Sequence, residues 1–126
     1  MPSSIKEMLA AANACVPKIS PDEAKRLIRE ERALLVDVRD APELSADGKL
    51  ASALNVSRGM LEFRADSSSP YHNPEFATDR PVIVYCASGG RSSLSGKTLQ
   101  DLGYAKVYNL GSFTDAAKAG FPTEAV

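Results

Sequence analysis

Two short apolar runs, Leu34-Leu35-Val36-Asp37-Val38 and Val82-Ile83-Val84-Tyr85, constrain this chain more than any other feature. They are rich in β-branched side chains and lack the polar alternation of a strand with one wet face. Such runs suit strands buried on both faces of a parallel sheet. Weaker runs at residues 53–56 and 106–110 extend the set. Parallel neighbours need crossover connections, usually helical, and helical patterns lie between the runs. Residues 3–13 place Ile5, Met8, Leu9 and Ala12 at i, i+3, i+4, i+7. Ser20-Pro21-Asp22-Glu23 reads as a second helix start, with Ser20 as N-cap, Pro21 at N1 and Glu23 as capping-box partner. Ala24, Leu27 and Ile28 supply its buried face, and the charged run 29–32 a solvated last turn. Further helices are predicted over 59–64, 92–102 and 114–119, the last two stopping at Gly103 and Gly120. The expectation is one α/β domain with a mainly parallel sheet. Residues 66–74 form its one long loop.

At 126 residues the chain is long enough for one real hydrophobic core. Fifteen basic against sixteen acidic side chains leave a net charge of −1, so nothing favours a nucleic-acid duplex. His72 is the only histidine, which excludes a zinc site built on several histidines. It also excludes a Ser-His-Asp triad using any other histidine. Cys15 and Cys86 lie far apart with no C-x-x-C pair, the wrong pattern for a disulfide framework or a zinc ribbon. No signal-peptide core or apolar span of ~20 residues is visible. The reading is a soluble, cytoplasmic protein whose thiols stay reduced.

The chemistry concentrates in Val82-Ile83-Val84-Tyr85-Cys86-Ala87-Ser88-Gly89-Gly90-Arg91-Ser92-Ser93. A buried strand runs into a cysteine, then a compact loop with two glycines, then an arginine at a helix start. Ligands of open α/β sheets bind outside the carboxyl ends of the strands, where Cys86 falls. Gly89 and Gly90 permit backbone conformations in which successive N–H groups turn inward as an anion nest. The following helix adds its positive end, and Arg91 a forked cation. The same fields act on the thiol, lowering its pKa and preparing Cys86 as a nucleophile without a histidine base. A cysteine ending an apolar strand is ordinarily a small buried hydrophobe; the Gly-Gly-Arg-Ser continuation into a capped helix reverses that reading.

Cys86-Ala87-Ser88-Gly89-Gly90-Arg91-Ser92 resembles the active-site loop of the rhodanese sulfurtransferases. Asp37-Val38-Arg39 with Glu43 and Gly48 resembles the family's D-x-R…E…G segment, and Ala53-Leu54-Asn55-Val56 part of its G-A-x-N-[IV] strand. Arg58-Gly59-Met60-Leu61-Glu62-Phe63 is similar to one subgroup. Leu102-Gly103-Tyr104, Val107-Tyr108-Asn109-Leu110-Gly111 and Ala119-Gly120-Phe121-Pro122 match the C-terminal signature. The resemblance implies a rhodanese-like three-layer domain spanning 1–126, with a five-stranded parallel sheet flanked by helices. Residues 1–19 form a helical extension and 20–124 the core. It further implies a double displacement in which Cys86 takes a sulfane sulfur from a donor such as thiosulfate and passes it, as a persulfide, to a thiophilic acceptor. Residues 87–92, that is Ala87, Ser88, Gly89, Gly90, Arg91 and Ser92, would bind substrate, with Arg91 orienting an anionic donor. Arg58 is a further candidate that could reach the cavity. Neither metal nor organic cofactor is implied. The expected partners are a small anionic sulfur donor and a thiol or protein acceptor, with no nucleic acid, no membrane and a monomeric chain.

The chain departs from the family pattern in places. Ser52 replaces a glycine, Ser57 a proline, and Gly111-Ser112-Phe113-Thr114-Asp115-Ala116 lacks the tryptophan of G-G-F-x-x-W, which is expected to loosen the C-terminal helix. Similar architectures serve cysteine phosphatases and arsenate reductases, which use C-x5-R; here four residues separate Cys86 from Arg91, a smaller bowl suited to one sulfur. A non-catalytic binding module is the third reading, disfavoured because the cysteine is present. Asp37, Arg39 and Glu43 are expected near the rim as structural residues, with Arg39 pairing Glu43 to hold the turn. Cys15 is expected to be a packed thiol and His72 an exposed loop residue.

Overall fold

The computed structural model describes residues 2–126. In chain order the elements are α1 (Ile5–Cys15), α2 (Pro21–Glu31), β1 (Leu34–Asp37), α3 (Ala41–Asp47), β2 (Lys49–Leu50) and β3 (Leu54–Asn55). A 3-10 turn (Arg58–Met60) leads into α4 (Leu61–Ala65), and then follow β4 (Val82–Cys86), α5 (Gly90–Asp101), β5 (Val107–Ser112), α6 (Phe113–Lys118) and β6 (Thr123–Glu124). The sheet order is β3-β1-β4-β5, all parallel, and β2 pairs antiparallel with β6 outside it.

The two apolar runs occupy the centre. In β1 and β4 every residue is buried. Leu34, Val36, Val82, Val84 and Cys86 face one side, packed with Val16, Leu61, Phe76, Leu99 and Tyr104. Leu35, Ile83 and Tyr85 face the other, with Ala24, Leu27, Phe113, Ala116 and Phe121. Alternate residues thus feed two cores, which is why the strands read as continuous apolar runs. The result is helices on both faces of a parallel sheet.

The sheet has four strands, where five were expected. The segment after α1 approaches β5 but pairs through a single parallel bridge, Lys18 with Asn109. Asn109 N–H donates to the Pro17 carbonyl at 2.9 Å and its carbonyl accepts from Ile19 N–H at 3.1 Å. Pro17 has no donor, and Pro21 opens α2 two residues beyond Ile19, so the ladder has no room to grow.

Helix starts follow the sequence signals in part. Ser20 Oγ accepts from Glu23 N–H at 3.1 Å, but the Glu23 carboxylate turns to Arg26 instead of closing the box. Ser4 and Glu7 form a reciprocal capping box on α1 that the pattern of apolar residues did not announce. The C-terminal helix is anchored without the tryptophan. Phe113 stacks on Tyr85 with ring centroids 6.3 Å apart, and Ala116 is buried. Cys15 is exposed, contrary to expectation, because the inward face of α1 is carried by Ala12 and, just beyond, Val16. His72 is half-buried, its Nε2 against the Phe76 carbonyl at 3.1 Å. No helix among the described residues is long and apolar enough to cross a membrane.

Candidate active site

β4 is the best-buried strand and delivers Cys86 to the carboxyl end of the sheet, fully enclosed. The chain must then reverse within a few residues to enter α5. Gly89 makes that reversal at φ +104°, a conformation that side chains rarely adopt. Gly90 is already the first residue of α5 and does not adopt such an angle, so one left-handed glycine forms the bend rather than two. Arg91 and Ser92 therefore sit in the first turn of a twelve-residue helix, with its unpaired N–H groups beside the thiol.

The donors converge on sulfur. Gly89 N–H points at Cys86 Sγ from 3.0 Å, and the buried Ser92 hydroxyl lies 3.5 Å away. Burial alone would push the thiol up. The Ser92 hydroxyl and the N–H groups of Ser92, Gly89 and Ser88 outweigh it and hold the Cys86 pKa below its ordinary value. The ionised form is thus favoured by fixed dipoles of the loop and the Ser92 hydroxyl.

Ser92 is held in turn from behind. Its Oγ lies 2.7 Å from Asn109 Oδ1 and 3.1 Å from the Gly89 carbonyl. Asn109 was not singled out from sequence. The signal was present, though: a lone amide inside the apolar run Val107-Tyr108-Asn109-Leu110, at a position that is 4% exposed.

The charged residues are arranged differently from expectation. Glu43 does not pair with Arg39. It takes Arg91 in a two-pronged pair, Nη1 to Oε1 at 2.7 Å and Nη2 to Oε2 at 2.9 Å. Arg39 instead closes on Asp37, both fully buried, and reaches the Gly48 carbonyl at 2.8 Å. A two-residue separation lets Arg39 fold back on its own strand end, whereas Glu43 sits on α3 facing the loop. Arg58 is engaged away from the thiol. Its guanidinium donates to Glu62 at 2.9 Å and Thr98 at 3.0 Å, in a groove between α1 and α5. The expected contribution of Arg58 to the cavity charge is not seen.

A cavity of about 410 Å³ adjoins the loop. It is lined by Ser88, Gly89 and Gly90 of the loop and helix start, by Leu9 and Asn13 of α1, and by the charged side chains of Lys18 and Asp115. Ser93 Oγ donates to Asn13 Oδ1 at 2.6 Å, and a Cβ on Gly96 would meet Val16 Cγ1 at 2.7 Å. The first helix is therefore packed directly against the helix that carries the loop. Among the described residues no group of acidic, cysteine or histidine side chains could hold a metal ion.

The Arg91–Glu43 pair makes a testable contribution to acid stability. The Arg91 hydrogen bonds lower the Glu43 pKa from 4.5 to about 2. A depressed carboxylate stabilises the fold above its unfolded pKa and loses that effect as pH falls through the folded value. Wild type is thus expected to exceed Glu43→Gln by a constant margin near neutrality, on the order of 1 kcal/mol for a half-exposed pair. The margin should shrink between pH 4.5 and about 2. Urea melts across the acid range measure it; a margin unchanged at the acid end would contradict the pairing.

A buried cysteine at a strand end, cradled by a short loop and the N-terminus of the next helix, is an arrangement suited to thiolate group transfer. Comparisons with known proteins give the family. The model of the Rhodanese-like domain family matches residues 20–119. A protein from Allochromatium vinosum named "Sulfurtransferase" is 34% identical over 100 residues, 79% of this chain and 85% of its own length. A "Thiosulfate sulfurtransferase GlpE" of Actinobacillus succinogenes is 32% identical, covering 85% of this chain and 89% of that one. A solved structure from Rhodopseudomonas palustris superposes with TM-score 0.86 at 38% identity, covering 98% of this chain and 99% of that one, and is described as of unknown function and a "Possible Tyrosine Phosphatase". The chain belongs to the rhodanese-like domain family, and within it to the rhodanese-type sulfurtransferases.

Proposed function

We propose that Cys86 carries sulfur between a donor such as thiosulfate and a thiophilic acceptor as an enzyme-bound persulfide. The observation behind this reading is the convergence of the Gly89 N–H and the Ser92 hydroxyl on a fully buried Sγ within a four-residue loop. In the first half-reaction the Cys86 thiolate attacks the outer sulfur of the donor. A bond forms from Sγ to that sulfur, the donor's S–S bond breaks, and sulfite leaves with the electron pair. The charge then resides on the outer persulfide sulfur, where the N–H groups of residues 87–92 act as an oxyanion hole does for oxygen. In the second half-reaction an acceptor thiolate or cyanide attacks this sulfur, the Cys86 S–S bond breaks, and the thiolate is restored. No step needs a metal or organic cofactor. Relatives named thiosulfate sulfurtransferase support the donor class, and two free cysteines suit a reducing cytoplasmic setting.

The phosphatase reading draws on the Rhodopseudomonas palustris structure described as a "Possible Tyrosine Phosphatase". The loop argues against it. A phosphoryl group requires an arginine free to grip its oxygens, and both terminal nitrogens of Arg91 are already engaged by Glu43. The test is intact-mass spectrometry of reduced protein after brief exposure to thiosulfate. A gain of one sulfur atom, removable by cyanide, is expected. No gain together with hydrolysis of an aryl phosphate would overturn the sulfur reading in favour of the phosphatase.

A further inference from the structure

The Ser92 hydroxyl has one proton and three neighbours able to take it. Asn109 Oδ1 is nearest at 2.7 Å, the Gly89 carbonyl lies at 3.1 Å, and Cys86 Sγ at 3.5 Å. The amide orientation of Asn109 is fixed by its other end, since Nδ2 faces the Gly89 carbonyl at 3.4 Å and a flipped amide would set two acceptors together. We propose that Asn109 is a positioning residue that competes with the Cys86 thiolate for the Ser92 proton, and so biases negative charge away from Sγ and toward the outer sulfur of the persulfide. The inference rests on Cys86 being the sulfur carrier.

The geometry gives two arrangements of the same groups. With the thiol protonated, S–H donates to Ser92 Oγ, which donates to Asn109. With the thiolate, Ser92 must swing its proton to Sγ, and Asn109 Oδ1 loses its donor while buried, an unfavourable state. When the charge moves one atom outward on forming the persulfide, Sγ no longer needs that proton and Ser92 returns to Asn109. Asn109 thereby opposes the resting thiolate and favours the loaded state. Its own position is set by the linker after α1, through the Pro17 carbonyl and Ile19 N–H.

Other charges around the thiol do not act through this relay. Arg91 of α5 is paired with Glu43 of α3, with Asp40 nearby, and Lys18 and Asp115 line the adjoining cavity. None of them hydrogen-bonds through its side chain to Ser92 or Asn109 among the described residues.

The test is a pH titration of the thiolate's ultraviolet absorbance, with a Cys86→Ser baseline subtracted so that Cys15 cancels. Asn109→Ala is expected to lower the Cys86 midpoint by about half to one pH unit, the scale of one net neutral hydrogen bond. Asn109→Val, β-branched for a strand position, removes the same acceptor and serves if alanine does not fold. In a Ser92→Ala background the Asn109 substitution is expected to have no effect, because the shared proton is gone. The equilibrium of persulfide loading from thiosulfate should shift three- to tenfold toward the free thiolate in Asn109→Ala. A midpoint that rises or stays put, or a shift that persists without Ser92, would overturn the proposal. A chain that never gains sulfur from thiosulfate, in wild type, would instead count against the sulfur-transfer reading while leaving the titration result intact.

Discussion

Cys86→Ser is expected to abolish sulfur transfer while the fold stays as stable as wild type. The substituted hydroxyl is smaller than the thiol and occupies the same enclosed position, where Gly89 N–H at 3.0 Å and Ser92 remain available as partners. No buried donor is stranded, so the unfolding free energy should change by no more than about 1 kcal/mol. Chemistry responds differently. The cradle lowers the pKa of a thiol within reach of ordinary pH, but an alcohol starts far above it, and dipoles of this kind cannot close that gap. Oxygen is also a poor acceptor of a sulfane sulfur. The turnover of thiosulfate with cyanide should fall to the uncatalysed background, with unchanged circular dichroism. A serine variant that still gains sulfur would move the carrier role to Cys15, which is exposed and chemically available.

Arg39→Leu is expected to cost about 3–5 kcal/mol, the scale for stranding one member of a buried ion pair. The Asp37 carboxylate is fully buried and takes the Arg39 guanidinium at 2.7 to 3.1 Å. Without it the carboxylate keeps the backbone N–H of residue 39, at 2.9 Å, and the Tyr85 hydroxyl beside it. The guanidinium also lies 4.4 Å from the Phe113 ring centre, so its loss loosens the anchor of α6. The double change Asp37→Leu with Arg39→Leu removes both charges and should recover part of the loss. Urea unfolding of the three variants measures this. A single substitution costing under about 1 kcal/mol would mean that the buried pair does not hold the strand end.

The central strands and the loop were readable because their physics is local. A run buried on both faces shows as uninterrupted β-branched residues, and a strand-to-helix reversal at Cys86 requires glycine at residue 89. Pairings across the fold were not readable. Arg39 has carboxylates at Asp37, Asp40 and Glu43 within four positions, and only the approach of α3 to α5 decides that Glu43 goes to Arg91. The fifth strand failed for a reason visible in retrospect: Pro17 and Pro21 bracket a segment too short for a ladder. Asn109 joins the site from β5, seventeen positions from Ser92, and no spacing rule links a strand amide to a helix hydroxyl. The absent tryptophan did not leave α6 unanchored because Phe113, Tyr85 and Arg39 close the same corner.

The single bridge at Lys18 bears on how copies of this chain meet in a crowded solution. A sheet whose outermost strand presents a long, flat row of free N–H and C=O groups is a template for another chain. Here β3 offers only two residues at one border. At the other, the middle of β5 is occupied by a segment flanked by two prolines, and an irregular register opposite Tyr85 and Gly111 bends the strand beyond it. A protein so bounded can hold a fully parallel, strongly hydrophobic sheet without inviting its extension into fibres.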